Sequence, residues 1–144
     1  MALFFCVAAG AHADAPSWLH EAIRKENPDE LGYRVFVDLD CPIGREDVER
    51  VLDATLARGA LAKSQYGLVE LHLRIVVSCF APDEGELVFS QEIHFSPPWD
   101  TDRPEMVYDW NFGRYGVGGR TFILQSVTRS VEDAIAEYLL ANFG

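Results

Sequence analysis

Two histidines, His72 and His94, fall in neighbouring predicted strands with Glu70 and Glu92 close by. Two imidazoles and a carboxylate can hold Zn²⁺ with one position open, the start of a hydrolytic site. Arg74 lies between them and would repel a cation. Solvated sheet faces also commonly carry His, Glu and Arg as ion pairs. A small metal-dependent hydrolase built on His72, His94 and Glu92 therefore stands as an alternative, not as the leading reading.

Other arrangements are less specific. Asp38 and Asp40 sit two apart on a predicted strand, so both carboxylates would share one side, as acid–base pairs and Ca²⁺ sites require. A polar strand edge beside a loop explains them equally well. The run Gly113 to Arg120 offers glycines and two arginines before a helix start, an arrangement that can cradle an anion. It matches neither the phosphate-loop pattern nor the dinucleotide fingerprint, and it lacks the required lysine. No serine lies in a nucleophile elbow, and no motif implies a cofactor. No catalytic residue is assigned.

Aromatic residues form the densest cluster: Trp99, Tyr108, Trp110, Phe112 and Tyr115. Such rings beside glycines and acids can form a surface for a sugar or a protein. Tyr108, Trp110 and Phe112 are expected to bury against the last helix. Trp99, Arg114 and Tyr115 are the expected binding residues.

The elements that would position these residues centre on a hairpin from Val69 to Phe95. In its first arm Val69, Leu71, Leu73, Ile75, Val77 and Cys79 alternate with Glu70, His72, Arg74, Val76, Ser78 and Phe80. Alternation at period two sends one row to the core and the other to water. Leu87, Phe89, Ile93 and Phe95 repeat the pattern, and Ala81-Pro82-Asp83-Glu84-Gly85 supplies turn chemistry. The expected register pairs Phe80 with Glu86, Arg74 with Glu92 and His72 with His94.

Before the hairpin, Ser17 is placed to cap a short helix with Trp18, Leu19, Ala22 and Ile23 on its apolar side. Tyr33 to Leu39 reads as a strand with Tyr33, Val35, Val37 and Leu39 on one face. Arg45 to Ala57 reads as an amphipathic helix with Val48, Val51, Leu52, Thr55 and Leu56 at spacing three and four. After the hairpin come a long irregular loop, a strand over Met106 to Phe112, a flexible glycine-rich connection and a helix from Thr121 to Asn142. The fold class is α+β: a small mixed or antiparallel sheet of three or four strands, in the order α-β-α-β-β-β-α, with two main helices on one face. The arrangement resembles small bacterial envelope domains, without any shared motif, and a fold without a site licenses no function.

Residues 1–13 read as a signal peptide. The run Leu3-Phe4-Phe5-Cys6-Val7-Ala8-Ala9 is apolar, and Ala11-His12-Ala13 has the A-x-A form of a cleavage site before Asp14. The Lys or Arg that usually precedes the apolar run is missing, as a start placed too late would leave it. Residues 14–144 then make one domain, with no segment apolar and long enough to span a bilayer. Net charge of −11 and a pI near 4.6 argue against nucleic acid and anionic membranes as partners.

With Cys6 removed, Cys41 and Cys79 remain, an even count that reads as a disulfide in an exported chain. Each ends a predicted strand in the parity of its apolar row, so parallel neighbouring strands would bring the two together. The sequence thus points to a periplasmic or envelope-associated domain, a non-enzymatic interaction or structural module. Its expected partner is another envelope protein or a glycan, the latter making it a carbohydrate-binding module that uses loop aromatics.

Overall fold

Among the described residues the two arms of the hairpin carry the longest ladder. In a computed structural model, which describes residues 15–65, 70–82, 86–98 and 112–144, His72–Phe80 forms β3 and Val88–Ser96 forms β4, paired antiparallel over nine residues each. Glu30–Val37 (β1) lies parallel to β3, and the two-residue Ala62–Lys63 (β2) lies parallel to β1. Arg114–Val117 (β5) closes the other side antiparallel to β4. Among the described residues the sheet is therefore five-stranded and mixed, in the order β2-β1-β3-β4-β5. Three helices accompany it: α1 at Ser17–Ala22, α2 at Arg45–Arg58 and α3 at Arg120–Phe143.

The α+β class and the helices on one face are as expected, with two strands in unexpected places. β2 is only two residues long, too short for any alternation to announce it. β5 lies inside the glycine-rich stretch expected to be a flexible connection. Gly113 leads into it at close quarters, because a Cβ there would lie 2.7 Å from the Gln91 carbonyl oxygen. Of the strand expected over Met106 to Phe112, all but Phe112 lies outside the described residues, as do residues 1–13 and Trp99. Phe112 is buried, edge-on to Phe95.

The hairpin register differs from the expected one by two residues. Phe80 pairs with Val88, Arg74 with His94, and His72 with Ser96. A two-residue slip keeps every side chain on its own face, so the apolar pattern cannot distinguish the two registers. What decides is the turn and the cross-strand pairs, each contributing only ~0.2–1 kcal/mol.

Burial fixes the faces themselves. Leu73, Ile75 and Val77 from β3 and Phe89, Ile93 and Phe95 from β4 are fully or almost fully buried. Each contributes about 1.5–3 kcal/mol by leaving water. α2 supplies Val48, Leu52 and Leu56 to this layer, and α3 supplies Ile123, Val127, Val131 and Tyr138, whose ring stacks on Phe95.

α1 packs on the far end of α3. Leu19 and Ile23 are buried, the Asn142 side-chain amide donates to the Ile23 carbonyl, and the Lys25 N–H donates to Asn142 Oδ1. Two details of α1 differ from expectation. Pro16, not Ser17, is the N-cap, and no side chain caps it. Trp18 is half exposed rather than core, while Leu19 is buried and His20 meets Glu137 of α3. Leu39 likewise lies past the end of β1 and is fully exposed.

Cys41 and Cys79 are bonded, with their Cα atoms 5.1 Å apart. Parallel pairing of β1 and β3 is what brings them together. The ladder runs on one step past β1, where the Asp38 N–H donates to the Val77 carbonyl.

Candidate functional site

α2 and α3 cover one face of the sheet, and no described helix covers the other. The strand register arranges that second face in rows. Phe80, Val88 and Val117 stand side by side across β3, β4 and β5; the next row is Ser78, Ser90 and Tyr115. Phe36, Val76 and Glu92 follow across β1, β3 and β4, and then Arg34, Arg74 and His94. Phe80 is 66% exposed and Tyr115 89%, and Phe36, Val88 and Val117 are also exposed. Single exposed apolar residues are ordinary, but a row of three in register with two aromatic rings nearby forms a patch.

The two guanidiniums of Arg34 and Arg74 sit over the same ring, with their Cζ atoms 5.1 and 5.6 Å from the centroid of Phe36. Each gains cation–π attraction there, which offsets part of the repulsion between like charges on directly opposed positions.

The histidines do not occupy the solvated pair expected of them. His72 is only 1% exposed and lies opposite Ser96, while His94 lies opposite Arg74. Parity assigns His72 to the polar row correctly, yet parity says nothing about what covers a strand end. The His72 Nδ1 lies 3.1 Å from the Glu70 carbonyl, which can only accept, so this nitrogen carries the proton. His94 Nε2 lies 3.6 Å from Glu92 Oε2. Among the described residues no group of three or more His, Cys, Asp or Glu side chains is placed to hold a metal ion.

Glu70 is engaged elsewhere. It accepts a 2.9 Å bond from Lys25 Nζ and a 3.3 Å bond from Ser64 Oγ. The lysine bond holds its carboxyl below the usual range. Asp38 directly follows β1 and Asp40 lies in the turn beyond it, both exposed.

Arg114 and Tyr115 are neighbours on β5 and therefore point to opposite faces. Arg114 turns to the helix side, donating from Nε to Ser130 Oγ at 3.0 Å and from Nη2 to Asp133 Oδ2 at 3.0 Å. It fastens β5 to α3. Tyr115 turns to the open side, at the rim of a groove of about 710 Å³ that also touches Glu92, His94 and Gly113. Of the three expected binding residues, then, Tyr115 is presented to solvent, Arg114 is committed to the fold, and Trp99 lies outside the described residues.

Sequence reasoning missed Phe122 and Arg129, which face β5 from α3. Phe122 is half exposed and meets Phe89 edge-on at 5.9 Å between centroids. The apolar stripe expected of this helix, Leu124, Val127, Val131, Ala134, Ile135, Tyr138 and Leu139, does not include Phe122. Its position in the first helical turn, beside two glycines, was the available signal.

No family model matches the chain, and no curated protein matches it in sequence. Among solved structures it is similar to a minor lipoprotein from Acinetobacter baumannii, with 11% identity and a TM-score of 0.34, covering 78% of this chain and 92% of that one. At this distance the likeness transfers neither function nor partner.

Proposed function

We propose that this chain is an exported, envelope-associated interaction module whose protein partner docks on the sheet face left open by the helices. The observation that carries the reading is the in-register apolar row Phe80–Val88–Val117, bordered by Tyr115 and rimmed by serines and arginines. An apolar centre with a polar rim is the anatomy of a protein interface. The Cys41–Cys79 bridge supports export, because such bonds persist in oxidising compartments. The apolar segment 1–13 supports it independently. Among the described residues no helix is long and apolar enough to cross a membrane.

The test is cross-linking capture from an envelope fraction, comparing the native chain with Phe80→Ser and Tyr115→Ala. A partner lost in both variants is expected; a partner retained by both removes the open face from consideration. Intact mass of the purified protein checks the compartment, with a chain beginning at Asp14 and two hydrogens lighter than its reduced form expected. A full-length chain with three free thiols would exclude export. Glycan arrays supply the contrast: binding lost with Tyr115→Ala would favour a carbohydrate-binding module instead.

A further inference from the structure

β5 is the last strand on its side of the sheet among the described residues, and its backbone reveals what its outer edge offers. The Gly118 N–H donates to the Leu87 carbonyl at 3.0 Å, so Leu87 and Gly118 form a hydrogen-bonded pair. Antiparallel ladders alternate bonded and non-bonded pairs. Phe89–Gly116 and Gln91–Arg114 are therefore bonded pairs, whereas Val88–Val117 and Ser90–Tyr115 are not. It follows that the N–H and C=O groups of Tyr115 and Val117 point away from β4, out of the sheet. Among the described residues no hydrogen bond occupies them.

Beside this edge runs a groove of about 240 Å³ between β5 and the first half of α3. At one end its floor is the Phe89–Phe122 pair, and Gly116 keeps that end open: a Cβ there would lie 3.2 Å from the Phe89 ring and 3.4 Å from that of Phe122. At the other end stands Arg129, exposed, with no hydrogen bond or ion pair among the described residues. Phe122 and Arg129 are separated by about 10 Å along the helix. Same-side residues on a strand are about 7 Å apart, and the long Arg129 side chain spans the remainder, so side chains two apart on an added strand reach both.

We infer that the β5 edge takes up an extended segment of the partner as a sixth strand, with an apolar side chain over Phe122 and a carboxylate on Arg129. The inference rests on the interaction reading above and names the chemistry of the partner. Main-chain bonds to Tyr115 and Val117 give affinity, and the two groove positions give selectivity. The intervening residues of the added strand point to the open face, where they extend the two rows that end in Val117 and Tyr115. A second copy of this chain is the poorer occupant, because pairing two edges sets net charges of −11 against each other. The repulsion an acidic segment feels from the distant charges is screened beyond about 8 Å, while Arg129 lies within the groove.

The experiment uses the oxidised chain from Asp14 onward and a short synthetic peptide of alternating Thr and Val that carries Asp and Phe two positions apart. Amide resonances of Tyr115 and Val117 are expected to shift on titration, and N-methylation of the pairing peptide amides is expected to abolish the shift. Arg129→Glu should weaken binding about tenfold, the loss of one charge-assisted pair, and a peptide with Lys in place of Asp should restore it. Binding indifferent to N-methylation, or no shift at either amide, overturns strand addition. So does a dimer seen by gel filtration whose interface protects the same amides. A partner captured by the native chain, lost with Phe80→Ser and kept by Arg129→Glu, would overturn this proposal while leaving the interaction module standing. Absence of any captured partner together with peptide binding would do the reverse.

Discussion

The two faces of the one sheet are built from the same strands yet differ in what they commit their side chains to. On the helix side, Phe95 touches both Phe112 and Tyr138, and Gln91 Nε2 donates to Ser130 Oγ at 2.7 Å. On the other side Phe80, Val88, Tyr115 and Val117 end in solvent. The difference teaches that apolar residues on this sheet do two jobs. Those in the odd rows of β3 and β4 hold the fold, and those in the even rows are available to something else.

The largest effect that would sharpen this contrast is Phe95→Ala. Removing a ring that sits between Phe112 and Tyr138 should cost about 3–5 kcal/mol, read from urea unfolding. Phe80→Ala, on the open face, should stay within about 0.5 kcal/mol. Equal losses at the two sites would erase the distinction between the faces.

Next in size is the Cys41–Cys79 bond, which closes a loop with a sequence separation of 38. Its reduction should lower stability by about 2–4 kcal/mol, seen as a shift of the urea midpoint with and without reductant. Gly113→Ala follows, at about 1–3 kcal/mol, because the new methyl would push β5 away from the Gln91 carbonyl. Amide exchange should quicken at Gly116 and leave Ile75 unchanged; uniform quickening would mean that β5 is integral to the core.

The smallest effect is a pH dependence at the surface. Asp47 accepts bonds from Arg120 Nη1 and Nη2, at 2.9 and 3.0 Å, and from the Gly44 N–H at 2.9 Å. The Arg120 bonds, first, and the Gly44 bond hold its carboxyl well below the usual range. A depressed carboxyl contributes stability that is complete above its unfolded value, near 3.8, and is lost as pH falls toward its folded value. Melting temperature measured down the acid limb should fall less steeply for Arg120→Ala than for the native chain. Parallel curves would show the pair to be inert.

Much of the covered face was legible in the residues. Leu73, Ile75 and Val77 alternate cleanly with polar neighbours, and Val48, Leu52 and Leu56 keep helical spacing, so period alone assigns them. The open face was less legible, for physical reasons. β5 is four residues among glycines, and β2 is two, too short for a period to emerge. The hairpin register escaped because a slip of two leaves the apolar rows unchanged. His72 shows that a polar row is not always a wet one. Arg114 and Tyr115 were both singled out in sequence, but only the strand assignment reveals that adjacent residues serve opposite faces. The groove residues Phe122 and Arg129 come from a helix that follows β5 directly. No one-dimensional pattern marks a surface shared by a strand edge and the helix beside it.

The bridge between the ends of β1 and β3 has a mechanical consequence. It encloses α2, β2 and β3 as far as Cys79 in a covalent ring, so a force applied at the two termini bypasses everything between Cys41 and Cys79. Stretching the oxidised chain should release a contour shorter by on the order of 130 Å than stretching the reduced one. With the ring shut, tension along the chain would pass from the end of β1 through the bridge to Phe80 and on toward β4, leaving α2 and all but the last two residues of β3 off the load path.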